Sequence, residues 1–223
     1  MENLDGIKIY VSGTSKGIGH EITREALEHG AHVVGTSYHT PAEVVRDSFA
    51  EFGDAYHHLQ HDAADYRNAG SHLQAVRKAL SGHADFNVFN AAEIAAVGPM
   101  LSATDVGQTY ERLFAVNVAG PVALVRGQLR QAGPGHKVVN VFFGTVGAFE
   151  GAGWELSYFH SFDAWRDIPH QPVGPCPSRR IRIIHHQSER LRFFWHVTPL
   201  QWRRKILSLI GIRTRNFGFT FKS

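Results

Sequence analysis

The chain has 223 residues, 43% of them apolar and 19% charged, the composition of a globular protein long enough for one two-sided α/β core and short for two domains. Its net charge of +3 conceals a division, because residues 1–165 hold 11 Lys/Arg against 18 Asp/Glu whereas residues 166–223 hold 12 against 2. A single cysteine, Cys176, excludes an internal disulfide, and no run of 18 apolar residues suggests a transmembrane helix.

The opening MENLDGIKIYVSG carries an acidic flank and a short apolar run, so it reads as a first strand rather than a signal peptide. With the lone cysteine, this predicts a cytoplasmic protein. A helix follows over IGHEITREALEHG, with Ile18, Ile22 and Ala26 on one stripe and Gly30 as its stop. AHVVGTS is a second strand, and PAEVVRDSFAEFG a second helix opened by Pro41. YHHLQHD then reads as a strand, YRNAGSHLQAVRKALSG as a helix and DFNVFNAA as a fourth strand. A long helix is predicted from about Thr104 to Gln131, followed by the strand HKVVNVFF and, later, the strand RIRII at Arg180 to Ile184. Strands alternating with helices of ten or more residues imply βαβ units, hence an α/β fold with a doubly wound parallel sheet. Five of the fifteen histidines cluster as YHHLQHD and IIHHQ, with no carboxylate or cysteine set at metal-ligand spacing, so no metal is expected.

The first strand-to-helix turn, VSGTSKGIGHEI, places Gly13, Gly17 and Gly19 where a helix N-terminus offers unpaired N–H groups and a positive dipole end. Glycines there let a pyrophosphate approach the backbone. The spacing is neither G-x-G-x-x-G nor a P-loop, since Lys16 precedes a glycine rather than Ser or Thr.

SGTSKGIG resembles the TGxxxGxG loop of the short-chain dehydrogenase/reductase family, and further landmarks of that family recur in order through residue 142. HDAAD resembles its acidic turn after the third strand, FNAA stands where it has NNAG, and YERLFAVNVAG is similar to its fourth-helix pattern. The resemblance implies a Rossmann-type NAD(P)-binding fold in which Gly13, Ser15, Lys16, Gly17, Ile18 and Gly19 line the cofactor loop. It further implies that Asp62 accepts a hydrogen bond from the adenine amino group, that Asn90 and Ala91 flank the cofactor, and that Asn117 is the catalytic asparagine. FNAA departs from the family at its first and last positions, Phe89 and Ala92.

An acidic residue at the end of the second strand binds the ribose 2′-hydroxyl in NAD enzymes and repels a 2′-phosphate. Ser37 occupies that position here, and Lys16 stands before the second loop glycine, as in family members that prefer NADP. NADP(H) is therefore expected over NAD(H).

In the family a tyrosine moves the proton of the carbonyl or alcohol, a serine hydroxyl holds the oxygen, and a lysine four residues after the tyrosine lowers its pKa. Tyr158 matches the tyrosine, but Phe162 stands at the lysine position and Phe142 and Phe143 at the serine pair. Thr145, thirteen residues before Tyr158, is the hydroxyl that remains to take the serine's role. His160 and Arg166 are poorly spaced to replace the lysine. Ser188 and Glu189 replace the family's Pro-Gly after RIRII, and residues 190–223 match no family pattern.

These features predict a domain over residues 1–189 and a divergent basic segment over residues 190–223. PLQWRRKILSLIGI reads as a core-packing helix rather than a membrane-surface one, and no aromatic-basic motif marks the tail for nucleic acid. Three readings stay open: an oxidoreductase acting on a small carbonyl or alcohol, with activity impaired; a dinucleotide-binding protein without turnover; and a frameshifted or misspliced product from about Phe142 onward. The charge reversal favours the third, and the correctly spaced RIRII opposes it. The family's habit of pairing through its fourth and fifth helices makes a homo-oligomer an open expectation.

Overall fold

The structure is a computed structural model and describes residues 3–93, 106–131, 138–143 and 180–184. Six parallel strands form one sheet in the order β3-β2-β1-β4-β5-β6: β1 Lys8–Ser12, β2 His32–Ser37, β3 Tyr56–Gln60, β4 Phe86–Phe89, β5 Val139–Phe143 and β6 Arg180–Ile184. The strand order runs outward from β1 in one direction and then restarts beside it with β4. In open α/β sheets, ligands bind at the carboxyl ends of the strands at such a reversal.

The helices are α1 Gly17–Glu28, α2 Ala42–Asp47, α3 Ala69–Ala79, α4 Val106–Phe114 and α5 Gly120–Gln131. The strands β1 to β5 divide their side chains between two cores by simple alternation. Ile9 and Val11 of β1, Val33 of β2, Val88 of β4 and Val141 of β5 pack with Ile22, Ala26, Leu27 and Phe49. Tyr10, Val34, Phe89 and Phe142 point the other way and pack with Leu73 and Val76 of α3 and Leu124 and Val125 of α5. β1, β2, β4 and β5 place apolar side chains on both faces, which is what a sheet covered on both sides requires.

Two helices differ from the sequence expectation. The segment after Pro41 is α-helical only to Asp47, and a 3₁₀ segment, Ala50–Ala55, replaces its second half. Phe49 breaks the helix: it leaves helical geometry (φ −126°, ψ 16°) and is 1% exposed, against Tyr56 and His20 at ring distances of 4.4 and 4.6 Å. Burial of this ring outweighs a few weak helical hydrogen bonds. The long helix before β5 is interrupted by a π-turn at Ala115–Ala119, centred on Asn117. Gly120, just after it, lies so close to β3's exit that a Cβ would sit 2.0 Å from the Ala63 carbonyl oxygen.

Candidate functional site

The loop between β1 and α1 is held from beneath by β2 and β4. Gly13 and Thr14 both donate their backbone N–H to the Thr36 carbonyl, at 2.9 Å each. From the other side, Asn90 donates its side-chain amide to the carbonyls of Ser12 (3.2 Å) and Gly13 (3.1 Å). The Ser12 hydroxyl in turn accepts the backbone N–H groups of Asn90 and Ala91, each at 3.0 Å. Asn90 and Ala91 thus tie β4 to the glycine loop.

α1 starts at Gly17, with Lys16 as its exposed N-cap residue, no side chain capping the first turn and no acidic residue in it. Ile18 packs against the core below, which anchors the helix while its first N–H groups face outward. A Cβ on Gly17 would meet nothing within 4 Å, whereas one on Gly19 would meet the Gly13 carbonyl oxygen at 2.1 Å. Gly19 therefore lets helix and loop close on each other, and Gly17 borders open space. A pyrophosphate fits the chemistry of this cradle: open backbone donors, no competing carboxylate and no side chain in the way.

Ser37 does not offer its side chain to that space. It is 5% exposed, its hydroxyl donates to the Thr40 carbonyl at 2.9 Å, and it lies 2.9 Å from His58 Nε2. Since the hydroxyl's one proton goes to Thr40, His58 Nε2 is the donor to Ser37 and Nδ1 is the acceptor. Tyr56 then donates to His58 Nδ1 at 2.9 Å, and its oxygen lies 3.1 Å from the Thr14 hydroxyl. A buried relay, Thr14–Tyr56–His58–Ser37, so links the glycine loop to the end of β2. Gly35 makes room for it, because a Cβ there would lie 2.5 Å from the Tyr56 hydroxyl. The Ser37 hydroxyl is thus committed within the protein.

Burial, followed by the nearby charge of Arg46, lowers the pKa of His58 to about 4. Burial also lowers that of His72, which stacks on His61 at 3.6 Å and lies 3.3 Å from the Tyr10 hydroxyl, to about 3. Burial raises Tyr10 and Tyr56 to about 12. Both histidines are neutral when folded but titrate near 6.5 when unfolded, so the unfolded chain binds more protons below that pH. Stability is expected to fall as pH drops from 6.5 toward 4, by up to about 1.4 kcal/mol per pH unit for each histidine. Urea midpoints measured between pH 7 and 4.5 should decline, and the double substitution His58→Gln, His72→Gln should flatten the curve. A midpoint constant over that range would contradict the neutral assignment.

Asp62 stands after β3, but its carboxylate is engaged: Oδ1 accepts the Ala64 N–H at 2.9 Å and Oδ2 accepts Arg112 Nη1 at 2.7 Å. Although burial alone would raise its pKa, the bonds to Arg112 and the Ala64 N–H hold it below the ordinary value. Arg112 also donates from Nε to Glu93 at 2.7 Å, and its guanidinium lies 5.2 Å from the Tyr38 ring centroid. Sequence spacing gave no signal for Arg112, whose partners are 50 and 19 residues away.

Asn117 is 3% exposed within the π-turn. Its Oδ1 accepts the Glu93 N–H at 2.9 Å and its Nδ2 donates to the Glu93 carbonyl at 3.1 Å. The side-chain amide thus pairs with both backbone groups of Glu93 and fixes the chain leaving β4 against the helix. π-turns of this kind recur at functional sites. Phe142, at one of the family's serine positions, is register partner to Phe89, which replaces the family's first Asn. The two rings stack with centroids 4.9 Å apart. Two departures from the family pattern are therefore one packed pair.

Thr145, Tyr158, Phe162, Ser188, Glu189 and residues 190–223 lie outside the described residues. Among the described residues, no group of three or more His, Cys, Asp or Glu stands together to hold a metal ion, and no helix is long and apolar enough to cross a membrane.

The reversal in strand order and the glycine cradle beside it define a doubly wound, Rossmann-type nucleotide-binding fold. A family model, short chain dehydrogenase, matches residues 8–158. The chain belongs to the short-chain dehydrogenase family of oxidoreductases. Sorbitol dehydrogenase of Cereibacter sphaeroides is 29% identical over 143 residues, covering 62% of this chain and 53% of that protein. Elsinochrome reductase 1 of Elsinoe fawcettii is 26% identical over 166 residues, covering 66% of this chain and 60% of that protein. The chain thus spans little more than half the length of these curated relatives. A blue fluorescent protein from a metagenomic library, solved in complex with NADPH, is 25% identical with a TM-score of 0.63, over 74% of this chain and 66% of that one.

Proposed function

We propose that this chain is an oxidoreductase transferring hydride between NADP(H) and a small carbonyl or alcohol, with turnover impaired by the loss of the family's lysine. The observation that carries the reading is the glycine cradle, backed by family membership and by the NADPH-bound blue fluorescent protein as a structural relative. The dinucleotide would lie with its pyrophosphate over Gly13, Ser15, Gly17, Ile18 and Gly19. When bound, it supplies or takes the hydride. Tyr158 then donates a proton to the carbonyl oxygen in reduction, and Thr145 holds that oxygen by a hydrogen bond. Asn117 keeps the chain after β4 in place through the Glu93 backbone. A neutral tyrosine is competent as a proton donor but poor as a base, so reduction is favoured over oxidation.

A binding protein without turnover is the second reading, favoured by the Phe89–Phe142 stack where the family pattern is polar. The frameshift reading is opposed by the family match reaching residue 158 and by the pairing of β6 with β5. We keep the domain at residues 1–189, with residues 190–223 as an appended basic segment. A cytoplasmic location, and a homo-oligomer paired through the family's fourth helix (α4 and α5 here) and fifth helix, belong to the same proposal.

Selectivity tests the reading. With no carboxylate at Ser37 and a cation at Lys16, NADPH is expected to bind about 3–10-fold more tightly than NADH, the range for one or two exposed charge contacts. Fluorescence titration of both cofactors measures this. Equal or reversed affinities would overturn the NADP assignment, and binding of neither would favour a nonfunctional product.

A further inference from the structure

Three chain exits meet at one cation. Tyr38 directly follows β2, Asp62 follows β3 by two residues, and Glu93 follows β4. Arg112, from α4, bonds both carboxylates at 2.7 Å and lays its guanidinium over the Tyr38 ring. Gly120 sets this up, since its approach to Ala63 brings the helix against the exit of β3.

On the reading above, the adenosine of the dinucleotide lies at this edge. Its ribose belongs at the end of β2, immediately before Tyr38, and the family resemblance puts its amino group at Asp62. Arg112 already makes both kinds of contact. A guanidinium is a flat group with donors on its rim that stacks on aromatic faces and bonds carboxylates in its plane. An adenine ring is likewise flat, with an amino donor on one edge. Each Asp62 oxygen already accepts one bond, from the Ala64 N–H and from Arg112, and the Arg112 guanidinium takes up the space beside Oδ2.

We infer that Arg112 is a placeholder for adenine: in the free protein its guanidinium lies against Tyr38, Asp62 and Glu93, and adenosine competes with it for that place. The inference rests on the dinucleotide reading and adds a specificity-determining residue to it. The exchange swaps an ion pair for a hydrogen bond from an uncharged donor, so Arg112 lowers adenosine affinity relative to a slot left open. Affinity for the dinucleotide then depends on how firmly Glu93 and Asp62 hold the cation.

The test compares wild type with the double variant Arg112→Met, Glu93→Gln. This variant empties the slot of its cation while keeping the cluster's net charge at −1, as in wild type, so general repulsion of phosphates is unchanged. Binding of ADP and NADPH is measured by calorimetry, with nicotinamide mononucleotide as a ligand lacking adenine. The expected result is ADP and NADPH bound at least threefold more tightly by the variant, with the mononucleotide unchanged. Equal affinities, or weaker binding of NADPH by the variant, would overturn the inference, the latter because it would make Arg112 an attractive contact. Should the variant fold poorly, the NMR resonance of the Arg112 Nη1–H in wild type decides: it is expected to shift on saturation with NADPH as the Asp62 bond opens. An unmoved resonance overturns the placeholder role. Absence of any ADP or NADPH binding in both proteins sinks the dinucleotide reading itself, a result distinct from equal affinities.

Discussion

Gly19→Ala is expected to destabilise the protein by about 3 kcal/mol or more, at the top of the range for overpacking, and to abolish dinucleotide binding. The added methyl would sit 2.1 Å from the Gly13 carbonyl oxygen and 2.5 Å from Asn90 Nδ2. The first contact is with backbone that β2 and β4 hold on both sides, so it cannot yield without breaking the bonds from Asn90 or to Thr36. α1 would have to lift off the loop. Gly17→Ala is the matched control, two residues away. Its methyl meets nothing, and the cost is that of placing a side chain at φ +63°, about 1–2 kcal/mol. For a chain of this size, 1 kcal/mol corresponds to about 2–4 °C in Tm, so Gly19→Ala should melt well below Gly17→Ala. Gly17→Ala should keep its fold and lose cofactor, because its methyl occupies the open side of the cradle. Thermal melts of the two variants check this, and equal Tm values would mean that the closure of α1 on the loop is not a structural constraint.

Phe162→Lys is expected to raise alcohol oxidation by about 10²-fold or more, the lower end of what general acid–base catalysis contributes. A free tyrosine titrates near ~10 and is a weak base at neutral pH. A cation four residues along a helix lies one turn away, close enough to stabilise a tyrosinate. The pH optimum for oxidation should therefore move down. In a Tyr158→Phe background the same lysine should do nothing, which separates proton transfer from any gain in cofactor binding. Wild-type oxidation at ~1 per second or faster would contradict the claim that Phe162 limits the site. A Phe162→Lys protein that binds NADPH but stays inactive would move the deficit to the Phe89–Phe142 stack and favour the binding-protein reading.

The fold class was legible in the sequence because strand and helix periodicities are local. Ile9 and Val11 alternate with Tyr10, and Ile18, Ile22 and Ala26 recur at helical spacing, whatever the rest of the chain does. The glycine loop was legible for the same reason, since a turn that needs positive φ at Gly13 and Gly17 writes glycine at those positions. RIRII was placed by the strand spacing that the family resemblance implies, and it pairs with β5 as the sixth strand.

Contacts between distant residues were decided only in three dimensions. Phe49 ends a helix that its neighbours would continue, because Tyr56 and His20 offer its ring a buried place. Parallel pairing of β2 with β3 sets Gly35 beside His58, and from that register follows the relay from Thr14 to Ser37 that removes the Ser37 hydroxyl from the site. Pairing of β4 with β5 aligns Phe89 with Phe142, turning two substitutions into one stack. Arg112 belongs to the same class. Its role depends on three strand ends and a helix converging within hydrogen-bond reach, and one-dimensional spacing carries no record of which distant carboxylates a flexible cation meets.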